Sequence, residues 1–243
     1  MEVFSKVYNQ VLATHDDYIY KNSIAIDTLW ESNICTLISE NIKPNTDFLD
    51  IGANIGLITL GVRKSLSGTG KIHCFECDNK TFNFLSFNTY HYNNISLYNF
   101  GLSDKQNIGS MTVNTYNFGC NHFSSTMDET FEYEHNKGNT NLTNNSTVYF
   151  SLLPLDFLKD TFINKISVIK VDIEGLEYHF LKGARDVILQ HKPVIVIEIF
   201  KQNKLKVDEL LTEYGYTGNY LGKEDYIYYP NGYRLLETTH GGS

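Results

Sequence analysis

The sequence predicts an α/β domain built on a mostly parallel sheet with helices on both faces. Three observations lead there. Short apolar runs that suit buried strands alternate with longer segments of helical periodicity. Several of those runs stop abruptly at a glycine or an acid, as strands do where a parallel sheet opens into its loops. At 243 residues, with 42% hydrophobic and 14% aromatic content, the chain can bury one sizeable core.

Residues 1–45 are expected to form a helical region packed on that core, and 46–240 the main domain, with a polar insert at 115–146. Leu29, Ile34, Leu37 and Ile38 suggest a helix between Thr28 and Glu40. Thr28-Leu-Trp-Glu31 fits a capping box for it. After a turn at Pro44-Asn45, Thr46 to Ile51 reads as a buried strand and Ile55 to Leu66 as a helix, broken by Gly68-Thr-Gly70. A second strand runs from Lys71 to Phe75 and ends in Glu76. Lys80 to Tyr92 is a helix, and Ile95 to Phe100 a third strand followed by Gly101-Leu-Ser-Asp104.

The rhythm then changes. Ser110 to Asn114 and Thr147 to Ser151 read as strands around a polar stretch with no apolar period. Alternation resumes with a strand from Ile166 to Val171. Leu176, Phe180, Leu181, Ala184, Val187 and Ile188 then form a helical stripe. Pro193 to Ile199 is an almost wholly apolar strand with its proline at the start, where no ladder donor is needed. Leu205 to Tyr214 is a helix, and the aromatic segment Tyr216 to Tyr229 a hairpin at a sheet edge. Ligands of such sheets bind beyond the carboxyl ends of the strands. Attention therefore falls on the residues after Ile51, Phe75, Phe100, Val171 and Ile199.

A net charge of −8 disfavours nucleic acid and anionic membrane as partners, since both want a basic face. Four cysteines are too few for a disulfide scaffold, and Cys74-x-x-Cys77 has no second pair to complete a zinc site. The chain lacks a signal pattern at its start and any run of eighteen apolar residues, so a cytoplasmic location is expected. Nothing in the sequence fixes the oligomeric state, and a homo-oligomer is admitted.

The stretch Asp47 to Leu60, DFLDIGANIGLITL, joins the first strand to its helix. A dinucleotide fingerprint would place glycines at Asn54 and Leu57, and both fail. No basic residue stands in the loop to answer a pyrophosphate. Asp50 before the turn would repel phosphate and suit a cation, Gly52 permits an unusual backbone, and Gly56 lets a ligand approach the helix start. A ligand with an ammonium, a sulfonium and a ribose fits: S-adenosylmethionine. Glu76, 24 residues past Gly52, stands where an acid accepts hydrogen bonds from ribose hydroxyls. Ser103 and Asp104 would flank the adenine, or else form a plain turn. Glu31, with Trp30, would line the cofactor mouth, or else cap its helix.

Taken together, FLDIGANIGLITL, FEC, GLSD, ISVIKVDIEGLEYHFLKGA and KPVIVIEIF resemble the FkbM-type S-adenosylmethionine-dependent methyltransferases, over roughly Trp30 to Phe200. The most specific part is Lys170-Val-Asp-Ile-Glu-Gly-Leu-Glu177 with Leu181-Lys-Gly-Ala184. The resemblance implies a class I methyltransferase, Rossmann-like, whose seven-stranded sheet ends in an antiparallel strand pair. It also implies O-methylation of sugars or of secondary-metabolite hydroxyls. Carried across, Asp50, Gly52, Asn54, Gly56 and Glu76 would contact the cofactor. Cys77-Asp78 departs from the family, many of whose members have a proline there, and the asparagine-rich insert has no counterpart that can be placed.

Methyl transfer to oxygen needs positioning and removal of the hydroxyl proton. Asp172, at the end of the fourth strand, is the expected reaction centre, although it and Glu174 and Glu177 also suit the start of a helix. Glu174 is a candidate acceptor contact. Glu198 lies in an apolar run where an acid is costly unless paired or ligated. Asp172 and Glu198 together would suit one divalent metal ion. His122 is a candidate general base or metal ligand, and Ser124 and Ser125 candidate acceptor contacts; a loop histidine can equally be solvated. Lys170 is read as structural, pointing away from Asp172. The expected activity is O-methylation of a small molecule, most readily a sugar, free or nucleotide-linked, in glycan, capsule or natural-product assembly. A non-sugar hydroxyl, a nitrogen acceptor, or a non-catalytic cofactor-binding module are the alternatives.

Overall fold

The computed structural model describes residues 1–113, 122–126 and 146–233, with backbone only at 112, 113, 122–126 and 146. The first 13 residues are not helical but form a hairpin, β1 (Glu2–Ser5) with β2 (Gln10–Ala13). Then come α1 (Tyr18–Asn22) and α2 (Ser32–Asn41). The main domain follows with β3 (Thr46–Ile51), α3 (Leu57–Val62), β4 (Ile72–Phe75), α4 (Asn79–Thr89) and β5 (Ile95–Tyr98). Next are β6 (Gly101–Leu102), β7 (Asn107–Val113), β8 (His122–Thr126) and β9 (Ser146–Leu153). The chain returns to the sheet through β10 (Lys165–Val171), α5 (Glu177–Gly183), α6 (Arg185–His191), β11 (Val194–Glu198) and α7 (Lys204–Glu213), and closes with β12 (Tyr216–Gly222) and β13 (Asp225–Pro230).

Seven strands form the central sheet in the order β12-β13-β11-β10-β3-β4-β5. β3, β4, β5, β10 and β11 are mutually parallel, while β13 is antiparallel to both β11 and β12. The reversed strand therefore sits one place in from the edge, and β12 outside it resumes the common direction. The expected hairpin is present.

Strand alternation explains why the sheet is covered twice. Leu49, Ile51, Ile169, Val171, Ile195 and Ile197 feed one core with Phe180, Val187 and Val207 from α5, α6 and α7. Phe48, Val168, Val194 and Val196 feed the opposite core with Ile34 and Ile38 of α2, Ile58 of α3 and Leu85 of α4. Each such side chain contributes about 1.5–3 kcal/mol on burial, so a one-residue slip of any central strand would be prohibitive.

The strands between Gly101 and Leu153 make a separate four-stranded sheet in the order β6-β9-β7-β8. The expected strands near Ser110 and Thr147 are its antiparallel pair β7 and β9. Met111, Phe150 and Leu152 pack against Leu176 at the foot of α5. This anchors the small sheet over the carboxyl ends of the central strands. Most of the polar insert, 127–145, lies outside the described residues.

Candidate active site

Strand order reverses between β10 and β3, and there the loops after the two strands touch. Gly52 has φ +75°, and a Cβ on it would lie 1.8 Å from the carbonyl oxygen of Asp172. Only glycine fits, because both the backbone conformation and the close approach forbid a side chain. The amide of Asp172 donates to Ile51 O at 3.0 Å, and the amides of Gly52 and Ala53 donate to Phe75 O at 3.0 and 2.9 Å. The loop is thus pinned from the β4 side as well. Asn54 takes φ 50° and its side chain accepts from the amide of Ile55. Its own amide donates to Glu76 Oε2 at 3.0 Å, while Asp78 N donates to Oε1 at 2.8 Å. Burial pushes the Glu76 carboxyl up to about 7.

Two cavities meet on this loop. The first, about 100 Å³, is bounded by Glu76 and Asn54 at one end and by Phe100, Leu102, Met111 and Phe150 at the other. Among the described residues, no lysine or arginine is in its lining. Apolar walls with Glu76 at the end of β4 suit a flat base and a ribose diol, and the three carboxylates of the lining, Glu76, Asp172 and Glu174, would repel a pyrophosphate. The second, about 170 Å³, lies under α1 and the segment before α2, where Tyr18 and Trp30 meet edge to face at 6.2 Å. Glu31, Lys170, Asp172, Glu174 and Glu198 give it a mostly acidic lining. Gly52, Asn54, Asp172 and Glu174 belong to both cavities.

Carboxylate oxygens of Asp172, Glu174 and Glu198 lie within 4.8 Å of one another. Glu198 is held well above the usual carboxylate range, first by burial and then by the charge of Asp172, with which it shares a hydrogen bond. Asp225, its partner across β11 and β13, is raised too, by burial and then by Asp172. Glu31 as a residue reaches the surface at the mouth, but its carboxyl lies among the cavity walls, and the loss of water there, with the charge of Asp172 adding to it, pushes it up to about 7.

Several expectations change. Helix α2 begins at Ser32, and Glu31 is its N-cap in the left-handed region with no capping bond from its side chain. The capping box is therefore absent and Glu31 lines the second cavity. Asp50 is fully buried behind the loop, bonded by Thr59 Oγ1 at 2.6 Å and 3.8 Å from Lys170 Nζ. The cation it faces is this lysine, so it lines neither cavity. Gly56 faces α4, where a Cβ would meet Leu85 at 2.8 Å, and its role is helix packing instead of ligand approach. Ser103 is 3% exposed, and Asp104 pairs with Lys182 and His179 of α5 at 3.0 and 3.4 Å. Phe100, Gly101 and Leu102 take their place on the cavity wall. Lys170 does not point away from Asp172: residues two apart in a strand share a face, and its Nζ donates to Asp172 Oδ2 at 3.2 Å. The strand His122–Thr126 pairs with β7, and the side chains of His122, Ser124 and Ser125 lie outside the described residues.

Glu177 had no assigned task beyond the helix start. It is 1% exposed, accepts from Gly175 N at 2.6 Å and Asn203 Nδ2 at 3.1 Å, and so closes the turn that carries Asp172 and Glu174. Burial pushes it up to about 7. A raised carboxyl contributes stability that is present below about pH 4.5 and lost as pH rises through about 7. Glu177→Gln is therefore expected to gain about 1 kcal/mol at pH 8, less than the full linkage because Asn203 must turn its amide and give up its bond to Gly175 O, and to gain nothing at pH 5. Urea unfolding at the two pH values checks this; a variant destabilised at pH 8 would refute it.

The sequence matches the methyltransferase FkbM domain family over residues 50–217. The fold is similar to that of a methyltransferase FkbM from Methylobacillus flagellatus KT, with TM-score 0.50 and 18% identity over 77% of this chain and 44% of that one. The chain thus spans less than half of that protein. It is also similar to a precorrin-6y C5,15-methyltransferase from Geobacter metallireducens GS-15 (TM-score 0.47, 13% identity, 89% and 91% covered). A third likeness is to the fibrillarin of Aeropyrum pernix, which holds natively bound S-adenosyl-L-methionine (0.44, 9%, 81% and 73%). No curated protein matches the chain. Among the described residues no helix is long and apolar enough to cross a membrane.

Proposed function

Since the chain belongs to the FkbM methyltransferase family, we propose that it moves a methyl group from S-adenosylmethionine to a hydroxyl oxygen of a small molecule, most readily a sugar. The observation that carries the reading is the position of Asp172, the carboxylate directly after β10, which lines both cavities. The first cavity takes the cofactor. Glu76 accepts from the ribose hydroxyls, Phe100 and Leu102 flank the base, and the Gly52–Asn54 backbone borders the sulfonium end. When bound, the cofactor supplies an electrophilic methyl on sulfur. The second cavity takes the acceptor between Trp30 and the carboxylates. Asp172 accepts the hydroxyl proton as the oxygen–methyl bond forms and the sulfur–methyl bond breaks. The acidic lining and the net charge of −8 favour a neutral or cationic acceptor over nucleic acid.

A second reading concerns the carboxylates. Asp172, Glu174 and Glu198 offer a hard divalent cation three oxygen donors in reach of one another. The alternative occupant is the proton shared by Glu198 and Asp172. Incubation of candidate sugars and nucleotide sugars with S-adenosylmethionine, followed by mass spectrometry, tests both readings. A gain of one methyl with matching S-adenosylhomocysteine is expected. Methyl gain on nitrogen, or no S-adenosylhomocysteine formed with any acceptor, refutes O-transfer. Turnover lost on exhaustive chelation and restored by magnesium or manganese supports the cation; unchanged turnover with no metal by elemental analysis leaves the shared proton.

A further inference from the structure

We propose that Lys170 is a positioning residue whose buried ammonium ties Asp172 to the carbonyl of Gly52 and so fixes the reacting carboxylate against the cofactor loop. The inference rests on the reading of Asp172 as the base.

Lys170 lies in the middle of the sheet, its side chain 7% exposed. Its Nζ donates to Gly52 O at 3.2 Å and to Asp172 Oδ2 at 3.2 Å. Asp50 Oδ1 is 3.8 Å away, in register across β10 and β3, and has no hydrogen-bond partner of its own. An ammonium has three donors, and here three oxygens from three chain positions surround it.

A buried charge of this kind is not what β10 needs to fold. Val168, two residues earlier on the same face, is apolar and fully buried. Burying an ammonium costs free energy that its partners must return, and apolar replacements of buried ion pairs are often neutral or stabilising. Lys170 and Asp50 thus form a compensated pair inside the wall, and what the pair does beyond cancelling its own charge is directed outward, at Gly52 and Asp172. The Gly52 loop is independently held by Phe75 O. Asp172 is the less constrained partner, with its side chain 36% exposed at a strand end and Glu198 on its other side. Losing Lys170 should therefore disturb the direction of the Asp172 carboxylate more than the shape of the loop.

Lys170→Met and the double variant Asp50→Asn/Lys170→Met separate positioning from mere charge balance. The single variant leaves Asp50 buried without its cation, and its Tm is expected to fall by roughly 10 °C. The double variant removes both charges and should recover most of that loss. If Lys170 positions Asp172, kcat of the double variant stays down roughly thirtyfold or more while KM for S-adenosylmethionine moves by no more than about threefold. Its crystal structure should show the Asp172 carboxylate displaced by about 1 Å or more. Turnover restored along with stability, or an Asp172 that has not moved, overturns the proposal. Failure of the wild-type protein to methylate any acceptor instead strikes the base assignment, and the crystallographic comparison still decides whether Lys170 sets the position of Asp172.

Discussion

Asp172→Asn is expected to lower kcat by roughly 10²–10⁴-fold, the usual weight of a general base, with KM for S-adenosylmethionine close to wild type. The amide has the shape of the carboxylate and its oxygen can still accept from Lys170 Nζ, but it cannot take a proton. The backbone of residue 172 stays bonded to Ile51 O, and the side chain is 36% exposed, so the fold has little reason to fail. The contrast matters because Asp172 borders both cavities. If it merely shaped the cofactor cavity, the substitution would appear in KM and leave kcat alone. Initial rates of methylated-product formation at saturating cofactor decide the matter. A kcat within about threefold of wild type would remove Asp172 from proton transfer.

What the sequence disclosed and what it hid follow one physical division. Apolar runs must be buried whatever surrounds them, so the strands ending at Ile51, Phe75, Val171 and Glu198 were legible, and with them the carboxyl edge of the sheet on which the two cavities lie. Gly52 and Glu76 were legible for a related reason, since a backbone turn and an acid at a strand end are properties of a few adjacent residues. Partners chosen across the fold were not legible. Asp104 is claimed by Lys182, 78 positions away, and Asp50 by Lys170 across the sheet. The walls formed by Met111 and Phe150 come from a second sheet whose docking depends on Leu176. Glu31 shows local pattern overruled by tertiary placement: the spacing of a capping box is present, yet the N-cap falls three residues later, on Glu31 itself, and its side chain opens into the second cavity. The misplacement of Lys170 is different in kind. The two-residue repeat of a strand already set it beside Asp172, and the rule needed only to be applied.

Glu76→Ala should weaken S-adenosylmethionine binding roughly a hundredfold by titration calorimetry, because two hydrogen bonds from ribose hydroxyls to a charged acceptor are lost. The pH dependence is the sharper signature. Burial raises the Glu76 carboxyl to about 7 while Asn54 N and Asp78 N hold its two oxygens in place. Only the ionised form accepts from both hydroxyls. Affinity should therefore be full above about pH 7 and weaken as pH falls through that value, approaching a tenfold loss per unit well below it. Binding near pH 7 should release a fraction of a proton, visible as a heat that varies with the ionisation enthalpy of the buffer. Glu76→Gln keeps the shape, cannot ionise, and should bind weakly with this pH dependence removed. The neighbouring raised group, Glu31, stands in the mouth of the other cavity, so its titration is not expected to reproduce the effect once Glu76 is replaced. A wild-type affinity that is flat between pH 6 and 8, or that rises on acidification, would mean that the ribose is not held by the carboxylate at the end of β4.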